Sequence, residues 1–184
     1  MKTSIFILPT SKYTGLRVLT KSIEYALQQE GLKVTTFHPV YDMDLSLDVI
    51  EKYLLNNRIK DFVEILLSKY YEKCLDKDFV VFSGLFRQGD NSHPLYALNG
   101  IVDEFNIEII KALSAKIIIV SYHGNKSLAE LNEELEYSRR SLPKKTDVLG
   151  AIITKVNATY DDDGHLNFSL TDEEVDTEHQ NNIS

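Results

Sequence analysis

At 184 residues, with 43% hydrophobic and 26% charged side chains, the chain has the size and composition of one globular domain that can bury its own core. The net charge of −8 comes from residues 161–184, which hold eight acids and no Lys or Arg; without a basic excess elsewhere, a nucleic-acid-binding face is not expected. The single cysteine, Cys74, excludes an internal disulfide and a cysteine-rich zinc module, and reads as an inert thiol in an apolar helix.

The chain opens on an apolar run at residues 5–8 (IFIL), which reads as a strand. Only four apolar residues follow Met1, Lys2, Thr3 and Ser4, so neither a signal peptide nor a membrane span is expected, and a cytoplasmic location follows. A loop at residues 9–15 leads to an amphipathic helix over 16–30, closed by Gly31 in the manner of a C′ residue. Residues 32–37 (LKVTTF) form a second strand that stops at His38 and Pro39. After a polar connector, Ser46 starts a helix with Leu47, Ile50, Leu54 and Leu55 at helical spacing, and Asn56 and Asn57 break it. A longer helix over 59–75 sets Phe62, Ile65, Leu66, Lys69, Tyr70 and Lys73 out by face.

The run at residues 79–82 (FVVF), followed by Ser83 and Gly84, suits a parallel strand buried on both faces. A long loop over 85–100, containing His93, has the length and position at which loops are often functional. Then come a helix over 102–113, a strand over 115–120, a helix from the Ser127 cap to 142 and a fifth strand over 147–154. Strands alternating with helices predict a three-layer α/β domain, a parallel sheet with helices on both faces. Ligands of such sheets bind at the C-terminal strand ends, here residues 9–15, His38, 83–86, 121–124 and 154–157.

The order of first strand, loop and helix is that of a phosphate-binding P-loop, G-x-x-x-x-G-K-[ST], in which backbone N–H groups hold phosphate and the Lys and hydroxyl handle terminal phosphates and metal. With Gly15 as the second glycine, Thr10 takes the first glycine position, or Ser11 if the match slips by one. Leu16 then takes the lysine position and Arg17 the hydroxyl position. Two readings follow from these residues: a helix-start turn that binds nothing, or a descendant that has lost catalysis and kept an anion seat.

Other chemistry fails on spacing. The five histidines, His38, His93, His123, His165 and His179, show no i, i+4 pair, so no metal centre is expected. Asp161, Asp162, Asp163 and Gly164 hint at a calcium loop, but Thr159 and Leu170 stand where its first and twelfth ligands belong, and a solvated hairpin turn accounts for the run better. Ser83 and Ser121 lack a nucleophile-elbow setting, so no catalytic residue is assigned. Residues 154–157 (TKVN), including Lys155, look like the N-K-x segment by which some P-loop proteins hold a nucleobase.

Taken together, residues 7–10 (ILPT) with Gly15 and Leu16, 34–39 (VTTFHP), 80–85 (VVFSGL), 106–109 (NIEI) with 113–115 (LSA), and 149–158 (LGAIITKVNA) resemble the dethiobiotin-synthetase-like branch of P-loop proteins. Within it they are similar to the N-terminal domain of long-form bacterial phosphate acetyltransferase. The resemblance implies a sheet in the order 2-3-1-4-5, a P-loop-derived domain over 1–160 and an acidic hairpin or linker over 161–184.

Active relatives carry a Lys and a hydroxyl after the glycine, a Lys before the proline that ends strand two and an acid before the glycine that ends strand three. Leu16, Arg17, His38 and Ser83 replace them, which removes the positioned charges on which phosphoryl chemistry depends. The resemblance therefore implies a regulatory and assembly domain with no cofactor and no metal. It keeps a vestigial anion loop of Thr10, Ser11, Lys12, Tyr13, Thr14, Gly15, Leu16 and Arg17, with His38, Ser83 and Lys155 near the cleft. Its implied partners are the catalytic acetyltransferase domain of an oligomeric parent enzyme and an anionic metabolite effector, without nucleic acid or membrane. Two alternatives stand beside it: an ATP-dependent carboxylate ligase of the dethiobiotin or cobyrinate type, and a free-standing small-anion sensor.

Overall fold

The computed structural model describes residues 3–11, 14–43, 45–85, 99–124, 126–154, 158–160 and 166–168. In chain order the elements are β1 (Thr3–Pro9), α1 (Leu16–Gln29), β2 (Val34–Phe37), α2 (Leu47–Leu55), α3 (Ile59–Lys73), β3 (Phe79–Ser83), α4 (Asn99–Leu113), β4 (Lys116–Tyr122), α5 (Leu128–Ser141), β5 (Val148–Thr154), β6 (Ala158–Tyr160) and β7 (Leu166–Phe168). Strands β1 to β5 form one sheet in the order β2-β3-β1-β4-β5, and each neighbouring pair is parallel. This is the predicted order, with the strand that precedes the loop at the centre.

The apolar run places successive β1 side chains on opposite faces, and both faces are covered. Phe6 and Leu8 join a cluster with residues of α2, α3 and α4, while Ile5 and Ile7 pack toward α1. A row of rings, Phe37, Phe82 and Phe6, crosses β2, β3 and β1 at centroid spacings of 5.3 and 5.2 Å, matching the register that opposes Phe37 to Phe82 and Phe82 to Phe6. Slipping one strand by a residue would turn its ring out of the row, so these side chains specify register as well as fill the core.

Tyr70 of α3 packs edge-on to Phe37, and its hydroxyl lies 2.7 Å from the Ser4 hydroxyl. Burial pushes the Tyr70 phenol up to about 12, and the bond to Ser4 opposes part of that rise.

The helix ends follow the sequence signals. Gly31 at φ 80° closes α1, with its N–H on the Gln28 carbonyl and that of Leu32 on the Leu27 carbonyl. Asn57 closes α2 in the same left-handed region, and Ser127 caps α5 through a reciprocal capping box with Glu130. Differences lie in facing and in ends. The buried stripe of α3 is Ile59, Phe62, Val63, Leu66 and Tyr70, whereas Ile65 is 40% exposed; in α2, Leu55 is 55% exposed. Both solvent-facing residues sit at helical spacing from core residues, and only the position of the neighbouring layer separates the two faces. Helix α4 begins at Asn99, ahead of the expected start, and β4 continues to Tyr122. Cys74 is a buried free thiol.

Most of the loop expected at 85–100, including His93, and most of the acidic tail lie outside the described residues. So does the turn expected at Asp161, Asp162, Asp163 and Gly164. The strands on either side of it pair antiparallel, Ala158 with Phe168 and Tyr160 with Leu166, as a hairpin requires. No helix among the described residues is long and apolar enough to cross a membrane.

Gly84, just past β3, donates its N–H to the Ile7 carbonyl at 2.9 Å. A Cβ there would lie 2.7 Å from Phe6 Cε1 and 2.9 Å from the Ile7 oxygen. Because the Ile7 backbone cannot give way, Gly84→Ala is expected to lower stability by about 1–3 kcal/mol. Thermal unfolding followed by circular dichroism measures this, and an unchanged midpoint would contradict the close approach.

Candidate functional site

The loop leaves the sheet at its centre, where Thr10 donates its N–H to the Val120 carbonyl at 2.9 Å. Thr14 is buried and donates its hydroxyl to the Ser11 carbonyl at 3.3 Å, which folds the loop back on itself. Gly15 is left-handed, at φ 66° and ψ 28°, and serves as N-cap of α1; its carbonyl accepts the Leu19 N–H at 3.0 Å. No side chain caps this helix. Its first N–H groups thus point to the sheet's C-terminal edge without an acidic or hydroxyl cap, the arrangement that favours a bound anion. Lys12 and Tyr13 lie outside the described residues.

Leu16 and Arg17, which follow Gly15, turn in opposite directions. Leu16 is buried with Ile5, Ile7, Val34, Val81 and Val120, so the position that holds a lysine in the ordinary motif anchors α1 to the sheet. Arg17 is exposed, and its guanidinium carbon lies 5.7 Å from the centre of the Tyr41 ring. That stacking places its permanent charge beside the end of β2.

Among the described residues, Thr10 Oγ1, Ser11 Oγ and Ser83 Oγ at this edge are buried without a hydrogen-bond partner. Ser83 stands opposite Ile7 in the β1–β3 register, and Thr10 and Ser11 continue β1 beyond Pro9. An unsatisfied buried hydroxyl costs roughly 1–3 kcal/mol, and native structures tolerate few. They group at the strand ends beside the start of α1, whose Gly15 cap makes no side-chain bond. These hydroxyls are neutral, and the Glu134 carboxylate of α5 shares a cavity lining with Thr10.

His38 ends β2. Its Nδ1 accepts the Val40 N–H at 3.2 Å, which leaves the proton of the neutral ring on Nε2. Its own N–H donates to Asp42 at 2.7 Å, and its ring lies 4.4 Å from that of Tyr41. Burial holds the imidazole below its ordinary pKa; Asp42 pulls it upward and Arg17 pushes it down.

The end of β4 carries a group that no sequence pattern suggested. Glu134 of α5 accepts the Ser121 hydroxyl at 3.2 Å and the Lys126 ammonium at 2.5 Å, and Lys126 also donates to the Tyr122 carbonyl. Residues 121 and 134 meet only through the packing of α5 on β4, although the i, i+3 and i, i+4 offsets of helical acids could have flagged Glu134. His123 donates from Nδ1 to the Gly124 carbonyl at 2.7 Å, which commits it locally. Asn106 of α4 brackets Leu85, accepting its N–H at 3.0 Å and donating to its carbonyl at 2.8 Å, and so fixes the start of the chain after β3. A cavity of about 50 Å³ lined by Thr10, Asn106, Glu134 and Tyr137 has room for solvent but not for a nucleotide. Lys155 lies outside the described residues. Among the described residues no three His, Cys, Asp or Glu side chains gather to hold a metal.

No family model matches the chain. Whole-chain comparison does find relatives. The chain is similar to phosphate acetyltransferase. It is 26% identical to that of Pseudomonas aeruginosa over 196 residues, covering 90% of this chain and 27% of the relative. It is 23% identical to that of Salmonella typhimurium over 198 residues, covering 94% and 27%, and 24% identical to that of Haemophilus influenzae over 210 residues, covering 100% and 28%. The chain thus spans about a quarter of the length of these relatives. Among solved structures it is similar to the BceF tyrosine kinase domain, with TM-score 0.47 and 16% identity over 82% of this chain and 67% of that one. It is also similar to the signal recognition particle receptor FtsY from Elizabethkingia anophelis, with TM-score 0.48 and 13% identity over 83% and 50%.

The His38 environment gives a signed expectation. Because the folded protein lowers the pKa below 6.5, this group contributes stability that is complete above 6.5 and is lost as pH falls through the folded value. An NMR titration of the His38 ring should give a midpoint below 6.5, moved up by Arg17→Ala and further down by Asp42→Asn. A midpoint that ignores both substitutions would contradict the geometry at the end of β2.

Proposed function

We propose that the chain is a non-catalytic regulatory and assembly domain of a phosphate acetyltransferase, the parent of which moves an acetyl group between coenzyme A and phosphate. It bears a degenerate nucleotide site that retains a metal-independent anion seat. The observation that carries this reading is the burial of Leu16 among the core residues of the α1 face, in a chain whose similarity runs along nearly its whole length but covers about a quarter of its relatives. A buried leucine cannot clamp a phosphate; the ends of β1 and β3 offer hydroxyls, with the His38 imidazole and an outward guanidinium beside the end of β2, and Glu134 on the same edge is engaged by Ser121 and Lys126. Such groups suit hydrogen bonding to a small anion and give no means of phosphoryl transfer. A domain of this kind acts on its parent only through an effector that binds two states of the parent unequally, with a coupling commonly near 1–3 kcal/mol.

Two experiments test the proposal. Calorimetric titration should detect inorganic phosphate binding without Mg²⁺, no ATP hydrolysis, and no requirement for metal. Ser83→Ala should weaken that binding about fivefold, by the worth of roughly one hydrogen bond, while raising the melting point of the unliganded protein by removing an orphaned hydroxyl. Tight binding of ATP that depends on Mg²⁺ would contradict the degenerate site. In the second experiment, the region equivalent to residues 1–160 is deleted from a full-length relative. Oligomer mass, specific activity and metabolite inhibition are then compared with the intact enzyme; if all three are unchanged, the regulatory reading fails.

A further inference from the structure

Charge along the chain is gathered in two short stretches of opposite sign. Residues 172–178 (DEEVDTE) hold five acids, whereas residues 139–146 (RRSLPKKT) hold four cations and no acid. The fold draws those four cations onto one turn. Helix α5 ends at Ser141, the chain becomes extended at the buried Leu142, and the Leu142 N–H returns to the Arg139 carbonyl at 3.2 Å. The Thr146 N–H then closes a turn on the Pro143 carbonyl at 3.0 Å, with Lys144 and Lys145 at its two central positions. The Ile117 N–H donates to the Asp147 carbonyl at 2.8 Å, which ties the turn to the start of β4.

The side chains of Arg139 and Arg140 are 70% and 80% exposed, and Lys144 and Lys145 are exposed as well. Glu136 lies 3.9 Å from Arg139 and 3.6 Å from Arg140 and is shared by both, while Asp147 faces Lys116 at 3.5 Å. Five cations thus meet two carboxylates among the described residues. The helix dipole favours cations in the last turn of α5, which accounts for Arg139 and Arg140. It does not account for Lys144 and Lys145, which lie beyond the helix. A groove of about 510 Å³ runs between the helix end and the turn, and its lining includes Arg139, Arg140, Pro143, Lys144 and Val148.

We propose that this groove is an internal docking surface for the chain's own acidic segment, residues 172–178, whose carboxylates pair with Arg139, Arg140, Lys144 and Lys145. Charge complementarity and chain length both point to this occupant. Strand β5 starts beside the turn at Val148 and rises about 20 Å to Thr154. Pairing of Phe168 with Ala158 returns the chain to within four residues of that strand end. Glu173 to Glu178 follow Phe168 by five to ten residues, an extended reach of about 17–33 Å, and the length of β5 falls inside that range. Single exposed ion pairs are weak, but a segment tethered in the same chain meets its site at an effective concentration near millimolar, so several weak pairs suffice. Because the sheet is parallel, the turn stands at the opposite end of the strands from the Thr10 and Ser83 hydroxyls, and the proposal does not depend on the anion seat.

Zero-length carbodiimide cross-linking of residues 1–184 at low salt, read by peptide mass spectrometry, should join Lys144 or Lys145 to the acids of residues 172–178 in preference to the exposed Lys60 and Lys69 of α3. The yield should fall about tenfold between 0.01 M and 1 M salt, as the screening length shrinks from about 30 Å to about 3 Å. A mixture of isotope-labelled and unlabelled chains separates links within one copy from links between two. Independently, neutralising the segment with Asp172→Asn, Glu173→Gln, Glu174→Gln, Asp176→Asn and Glu178→Gln should shift the backbone amide resonances of residues 139–142 and 144–146 and leave those of β1 in place, so that two folded proteins are compared. Cross-links spread evenly over the lysines, links of mixed isotope composition, or resonances of the turn that ignore the neutralised segment overturn the proposal.

Discussion

Burial of β1 on both faces and between two neighbours constrains everything the C-terminal edge can do. Phe6 and Leu8 belong to one layer, Ile5 and Ile7 to the other, while β3 and β4 take up the backbone on either side. A strand held in this way has no freedom of register, and the chain leaving it at Pro9 must emerge at one place and turn at once. The ring row from Phe37 through Phe82 to Phe6 locks the neighbouring strands to the same frame, and the close approach of Gly84 to Ile7 carries that frame to the rim. The polar edge inherits its geometry from the apolar interior.

On that rim Leu16 and Arg17 take opposite sides of α1 for one physical reason. A side chain directly after Gly15, at the first position of α1, can reach the core. An aliphatic one gains by leaving water, at about 25 cal/mol per Å² of buried apolar surface. Leu16 therefore strengthens the seating of α1 on the sheet. The neighbouring guanidinium, unable to enter the apolar layer without a partner, lies over Tyr41 and biases His38 toward its neutral form. Inside lie the hydroxyls of Thr10, Ser11 and Ser83, which find no hydrogen-bond partner among the described residues and so oppose folding.

The two sides of the sheet are also unequal. Helices α2, α3 and α4 contribute to the larger apolar cluster, whereas α1 packs on β2, β3 and β1 within the smaller one. The polar rim and the exposed residues Leu149, Gly150 and Ala151 of β5 are separate features of that layering.

The amino-acid sequence by itself determined the strands and helices, their alternation and the place of the loop, because these follow from local periodicity and from turn chemistry at residues such as Gly15, Gly31 and Ser127. It also showed which charges the loop lacks, since that is a matter of residue identity. Tertiary structure alone decided which face of α3 was buried, leaving Ile65 out and Val63 in; that Leu16 faces the core and Arg17 faces Tyr41; and that Ser121, Lys126 and Glu134 meet at the end of β4. The exposure of β5 belongs to the same group, for an apolar strand reads alike whether or not a layer covers it. These features depend on what stands across a gap from a residue, which is set by the packing of distant segments and leaves no trace in local spacing.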